Sequence, residues 1–179
     1  MEISEFKLRE MENQIHKIVQ ESKSIFNKIE GGHSSASIDS DFYENISLND
    51  LFSAIDTHQA TPMFVSGISW IEFYEMYNEN DGTRCELGLS SLIHEIRENF
   101  QRVWSFNKMY NSTEVEKFAH LEMQINLAVD EIEASLLEII EFYKKSEIFH
   151  FDAGGYDYSI IAIEFIRGVQ IIEFLWYID

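Results

Sequence analysis

Leu8, Met11, Ile15, Ile18, Ser22, Ile25 and Ile29 recur at spacings of three and four, which places them on one face of a helix. The pattern predicts a helix over 1–30. Gly31-Gly32 stops it, because glycine takes the left-handed cap conformation freely. Ser22, the polar member of the stripe, is small enough to bond back to its own helix. Three heptads without a clear e/g charge code make this a core-facing stripe rather than a coiled-coil seam.

Residues 33–45 hold four serines and no helical period, and they read as a loop. Ser47 is placed to cap a short helix over 47–57, with Ile46 and Leu51 at the staple positions and Leu48, Leu51, Phe52 and Ile55 inward. Pro62 ends this region and biases Thr61 away from helix. Residues 63–66 read as a strand, and the aromatic and β-branched residues of 63–77 also admit a strand reading of the whole stretch. Ser69 and Glu72 then form a capping box for a helix over 70–77, in which Trp70, Phe73, Tyr74 and Tyr77 keep helical spacing. The stretch 78–88 reads as a loop with a turn at Asp81-Gly82.

A helical hairpin is expected over 90–146. Leu89, Leu92, Ile93, Ile96, Phe100, Val103 and Trp104 line its first arm. After a break at Asn111-Ser112, Thr113 and Glu116 form a capping box. Val115, Phe118, Leu121, Ile125, Val129, Ile132, Leu136, Ile139 and Tyr143 line the second arm, and Lys144 and Lys145 close its last turn. The short link makes the arms antiparallel neighbours. Beyond them, 148–152, 156–166 and 169–178 are rich in Ile, Phe, Tyr and Trp. Ala153-Gly154-Gly155 and Arg167-Gly168 separate them, which predicts an antiparallel meander across 148–178. Glu164 and Glu173 interrupt its last two strands, either across from one another or facing solvent. The expectation is one α+β domain over 1–179: a long N-terminal helix and an antiparallel helical hairpin packed with a C-terminal three-stranded β-meander.

Composition sharpens this. With 45% hydrophobic and 14% aromatic residues in 179, the chain is no disordered acidic tract. Its formal charge is −19, from 13 bases and 32 acids. Residues 31–60 carry five acids and no base, and 61–88 carry five acids and Arg84. From 118 to 143 the second arm of the hairpin holds six acids and no base. Such a surface repels phosphate, so direct nucleic-acid binding and an anionic membrane surface are both disfavoured. No apolar run is long enough to span a bilayer, and MEISEFKLRE lacks the basic and apolar regions of a signal peptide. Cys85 has no second cysteine to pair with, which fits a reducing cytoplasm.

Chemistry is sparse. There is no H-E-x-x-H or C-x-x-C, and the glycines fit no phosphate cradle. Glu12/His16, His94/Glu98 and Glu116/His120 are i,i+4 pairs of the kind helix surfaces carry. His150 and Asp152 lie two apart on an expected strand and share its side. Arg84 would lower the Cys85 pKa and Glu86 opposes it. Asn78–Gly82 echoes a calcium loop with its oxygen ligands at the wrong positions. Arg9 and His16, seven apart on the first helix, resemble the Arg-x(4–6)-His pattern of helical HEPN-type ribonucleases, with Glu10 where that family carries Asn, Asp or His. The resemblance implies that the pair acts on an RNA phosphodiester. No catalytic residue, metal site or cofactor is assigned.

The acids then carry the functional expectation. Asp39, Asp41, Glu44, Asp50, Asp56, Glu72, Glu75, Glu79, Asp81 and Glu86 are read as a partner-binding surface, with neighbouring aromatics as anchors. The expected role is a non-enzymatic inhibitor of a basic protein, an immunity protein or antitoxin whose carboxylates fill the phosphate subsites of a nuclease toxin, or a nucleic-acid mimic aimed at another nucleic-acid-processing enzyme. The alternatives are an assembly or adaptor module that uses apolar helix faces, a homo-oligomer among them, and a metal-dependent or HEPN-like enzyme.

Overall fold

The computed structural model describes residues 2–26, 34–50, 75, 77, 79–110, 115–152 and 156–178. It is an α+β structure built on a five-stranded antiparallel sheet. The elements run α1 (Glu2–Phe26), β1 (Ser34–Glu44), β2 (Thr83–Leu87), α2 (Leu89–Tyr110), α3 (Val115–Glu138), a 3₁₀ turn (Ile140–Phe142), β3 (Tyr143–Asp152), β4 (Tyr156–Phe165) and β5 (Gly168–Ile178). The strand order is β1-β5-β4-β3-β2.

The sheet therefore has five strands, not three. Residues 33–45 were expected to be a loop, and Ser34–Glu44 is instead an edge strand along the whole of β5, Ser34 opposite Ile178 and Glu44 opposite Gly168. Its alternation is carried by small serines, so it shows no strong hydrophobic period. Ile38 is 1% exposed, and a partner strand from the far end of the chain supplies the pairing. Likewise Thr83–Leu87, within the expected loop 78–88, is β2, paired with β3 from Thr83↔His150 to Leu87↔Ser146. The turn at Asp81-Gly82 stands just before it. Asp81 takes a positive φ of 50°, and the Gly82 N–H donates to the Tyr77 carbonyl at 2.8 Å.

The helical hairpin ends earlier than its stripe suggests. α3 stops at Glu138, and Tyr143 already pairs with Phe165, so Lys144 and Lys145 belong to β3 and not to a last helical turn. Ile and Tyr suit helix periodicity and strand alike, and pairing with β4 decides. Ser47 caps as expected, its Oγ accepting from the Asp50 N–H at 3.1 Å. Residues 48–50, 75, 77 and 79 are helical, while 51–57, the strand at 63–66 and Trp70, Phe73 and Tyr74 lie outside the described residues.

The sheet separates two apolar clusters. On one face, Ile38, Ile161, Ile163, Phe165, Ile172, Phe174 and Trp176 pack against Ile15, Ile18 and Val19 of α1, Leu92, Ile96 and Phe100 of α2, and Ile125, Val129 and Ile132 of α3. Phe100 meets Phe174 edge to face at 5.5 Å. On the other face, Phe149, Phe151, Tyr158, Ile160, Val169 and Ile171 pack with Leu48, and Ile46 and Tyr77 lie against them. Burial on both faces explains the near-continuous apolar runs of the inner strands. Among the described residues, no helix is long and apolar enough to cross a membrane.

Candidate functional site

One face of α1 is polar. Arg9, Asn13, His16 and Gln20 follow at spacings of four, three and four, and three of them bond to β1. Arg9 Nη2 donates to Glu44 Oε1 at 3.3 Å, His16 Nδ1 lies 2.7 Å from the Ser40 carbonyl, and Gln20 Nε2 donates to Asp39 Oδ1 at 2.5 Å. Helix and edge strand are thus joined by a polar seam along the outer edge of the sheet. At Asn13 the seam opens into a cavity of about 460 Å³ lined by Arg9, Asn13, His16, Asp41, Phe42 and Glu44.

A carbonyl only accepts, so His16 Nδ1 carries a proton and donates it to the Ser40 carbonyl. Arg9 is less available than its sequence position suggests. Glu44 Oε1 also accepts from Arg167 Nη2 at 2.9 Å, so one carboxylate holds two guanidiniums. Asp41 stands in the same wall. The Arg9/His16 pair does line one cavity, but its helix lies on an antiparallel sheet, not in the helical fold that the HEPN resemblance implies.

Of the ten acids named above, the eight that are described do not share one exposed patch. Asp39 is 4% exposed and accepts from Gln20 and from the Ser40 N–H. Glu44 is bound to its two arginines, and Asp50 is engaged with the Ser47 cap. Asp41, Glu75, Glu79, Asp81 and Glu86 are exposed and make no ion pair among the described residues. Asp41 and Glu86 stand on the two opposite edge strands, four inter-strand steps or about 19 Å apart. Asp56 and Glu72 lie outside the described residues.

Glu164 and Glu173 neither oppose one another nor face solvent. Glu164 lies opposite Val169 in the β4–β5 ladder, buried, where it accepts from the Leu48 N–H at 3.0 Å and from Lys144 at 3.2 Å. Glu173 lies opposite Ile160 of β4 and Asp39 of β1 and accepts from the Tyr158 hydroxyl.

His150 engages the next strand and not Asp152. Its Nδ1 lies 3.0 Å from Ser159 Oγ and 3.3 Å from Asp157 Oδ1. Burial pushes the Asp157 carboxyl above its ordinary range, while His150 and Arg102 pull it back. A nucleophilic triad needs the serine and the carboxylate on opposite ring nitrogens, and here both address Nδ1. Glu147 and His150 have E-x-x-H spacing, but on a strand such residues point to opposite faces. Among the described residues, no three His, Cys, Asp or Glu side chains converge to hold a metal ion.

Most of the described cations pair with the chain's own acids, while Lys7 and exposed Arg102 make no salt bridge among the described residues. Arg9 and Arg167 are on Glu44, Arg84 and Lys145 on Glu147, Arg97 on Asp130 and Glu133, Lys144 on Glu164, and Lys17 on Glu21. Hydrogen bonds to Asp130 and then Glu133 raise the Arg97 pKa further above its ordinary value. Glu147 and Glu164, two of the acids served, are buried. Among the described residues, exposed Glu75, Glu79, Asp81, Glu86, Glu98, Glu131, Glu138 and Glu141 pair with no cation.

No protein-family model, curated protein or solved structure matches the chain.

Proposed function

We propose that the chain is a stoichiometric, non-catalytic binder of a basic protein. Within that class, we assign it as an immunity protein or antitoxin that covers the phosphate-binding cleft of a nuclease toxin in the cytoplasm. One observation carries the reading: Arg9, Arg84, Arg97, Lys144, Lys145 and Arg167 are spent on the chain's own carboxylates, two of them buried, and exposed acids are left to dominate the described surface. Solubility alone is served by a net charge of magnitude about 2–8, and −19 lies far beyond it. Self-repulsion on that scale costs stability, and a cationic partner relieves it on binding. The free thiol of exposed Cys85 fits a reducing compartment.

The test is capture from the source organism's lysate at low and at high salt, followed by titration of the captured protein's nuclease activity with this chain. A single basic protein, held at low salt, released at high salt and silenced at one equivalent, is the expected result. Capture that recovers no basic protein, or a basic protein whose activity is unchanged by excess chain, overturns the reading.

A further inference from the structure

We propose that the outward face of α3 is a docking site for a basic amphipathic helix of the partner. α3 is apolar on two sides. Leu121, Ile125, Val129, Ile132, Leu136 and Ile139 are buried in the core. On the opposite side Met123 is 53% exposed, Leu127 54% and Leu137 47%. At 3.6 residues per turn, Met123, Leu127, Ala134 and Leu137 lie within about 40° of Met123 on the wheel and span about 21 Å of helix, with exposed Asp130 among them. Ile140, 39% exposed, continues from the end of the helix. Beside it, Ile166 is 51% exposed and donates its N–H to the Phe142 carbonyl at 3.0 Å. Scattered apolar residues on a surface are ordinary, but an aligned set on the face where a surface helix is normally polar is an interaction feature.

Charge identifies the occupant. Asp130, Glu131 and Glu138 are exposed on the same side, with Glu141 just beyond. Asp130 is held by Arg97 at 2.7 Å, and among the described residues Glu131, Glu138 and Glu141 pair with no cation. There is no Lys or Arg from 118 to 142. A second copy of this chain would bring the same carboxylates against these, the nearby Arg97 being already committed to Asp130 and Glu133, and an anionic lipid surface fails by the same charge. A helix with Leu, Ile or Met at i, i+3/i+4 and i+7, flanked by Lys and Arg, satisfies both features. This rests on the basic-partner reading and gives it a point of contact.

The test uses the full chain and three fluorescein-labelled 21-residue peptides, read by anisotropy. One is a Lys/Leu amphipathic helix, one has the same composition with the amphipathic order scrambled, and one is its Glu/Leu counterpart. The Lys/Leu helix is expected to bind at least tenfold tighter than either control. Leu127→Ser with Leu137→Ser, both exposed, is expected to weaken it at least tenfold at unchanged Tm. The triple change E131Q, E138Q, E141Q is expected to weaken it and flatten its salt dependence. Equal binding of the scrambled peptide, or no loss in the Leu127/Leu137 variant, overturns the site. So does a wild-type dimer in sedimentation that this variant dissolves, because a second copy is then the occupant. If lysate capture returns a basic protein that the α3 variants hold as well as wild type, the α3 site fails and the basic-partner reading stands. If capture returns none, that reading fails independently of the peptides.

Discussion

Arg84 and Glu147 meet diagonally across the β2–β3 ladder, with Arg84 Nε 2.5 Å from Glu147 Oε2. The Glu147 side chain is 8% exposed, and its direct cross-strand neighbour is another acid, Glu86. Arg84, also 5.3 Å above the Phe149 ring, is the nearer of two cations that make the burial of Glu147 tolerable; Lys145 follows at 3.5 Å. Removing one partner leaves a buried charge beside a like charge. Arg84→Ala is expected to cost about 1–3 kcal/mol, the lower end reflecting Lys145. Glu86→Gln is expected to stabilise by about 0.2–1 kcal/mol. Urea midpoints at constant m-value read both, and an unchanged midpoint for Arg84→Ala sinks the argument.

Gly168 opens β5 directly opposite Glu44, next to the last turn of the meander. A Cβ there would run into the Tyr43 carbonyl and crowd the Phe42 ring. The obstacle on one side is backbone, which cannot rotate away as a side chain does. Gly168→Ala is therefore expected to force β1 away from β5 and cost about 1–3 kcal/mol. Amide exchange should locate the damage. Loss of protection in β1 ahead of β3 supports the argument, and uniform loss across the sheet rejects it.

Local pattern made α1, α2, α3 and the strands of the meander legible, because each carries its own period. β1 and β2 were not legible. Their serines and charged residues look like loop, and what makes them strands is pairing with β5 and β3, far along the chain. The ends of α3 blurred for the related reason that Ile139–Tyr143 suits helix and strand alike. The candidate site was legible in part. The run of acids is plain in sequence, but which are spent internally depends on Arg9, Arg84, Arg97, Lys144 and Arg167 meeting their partners through the fold. Only Arg9 and His16 were singled out from the α1 seam, although Asn13 and Gln20 share their spacing. The outward stripe of α3 left a signal too: Met123, Leu127 and Leu137 are apolar residues outside the core stripe.

Asp157 should make stability depend on pH in the direction opposite to a salt-bridged acid. Burial raises its folded pKa above the ordinary 3.8, against the pull of His150 and Arg102. The folded state then binds more protons than the unfolded one between those two values, so stability falls as pH rises through the window. The cost is full above the folded pKa and disappears below the unfolded one. Asp157→Asn is expected to melt higher than wild type at pH 7, with the difference shrinking as pH is lowered toward 4. Asn keeps an acceptor for the Trp176 side chain, so packing is conserved. A difference that is constant with pH, or that grows on acidification, would show that the carboxylate is stabilised by its neighbours instead.

Two groups of unpaired acids stand available to steer a basic partner, and they separate by position. Glu75, Glu79, Asp81 and Glu86 lie around the turn into β2, while Glu131, Glu138 and Glu141 lie along the outer end of α3. Steering depends on the field at the docking patch and decays over about 8–10 Å at physiological salt, so only the group near the contact should govern the on-rate there. With docking on α3, E131K/E138K/E141K is expected to slow association with the captured partner by about tenfold or more at low salt. E75K/E79K/D81K/E86K is expected to slow it similarly at very low salt, where the screening length reaches about 30 Å, and to approach wild type near 0.15 M. Stopped-flow association rates over a salt series decide it. If the β2 group remains dominant at 0.15 M, the partner docks on that edge of the sheet, and the α3 face is not its first point of contact.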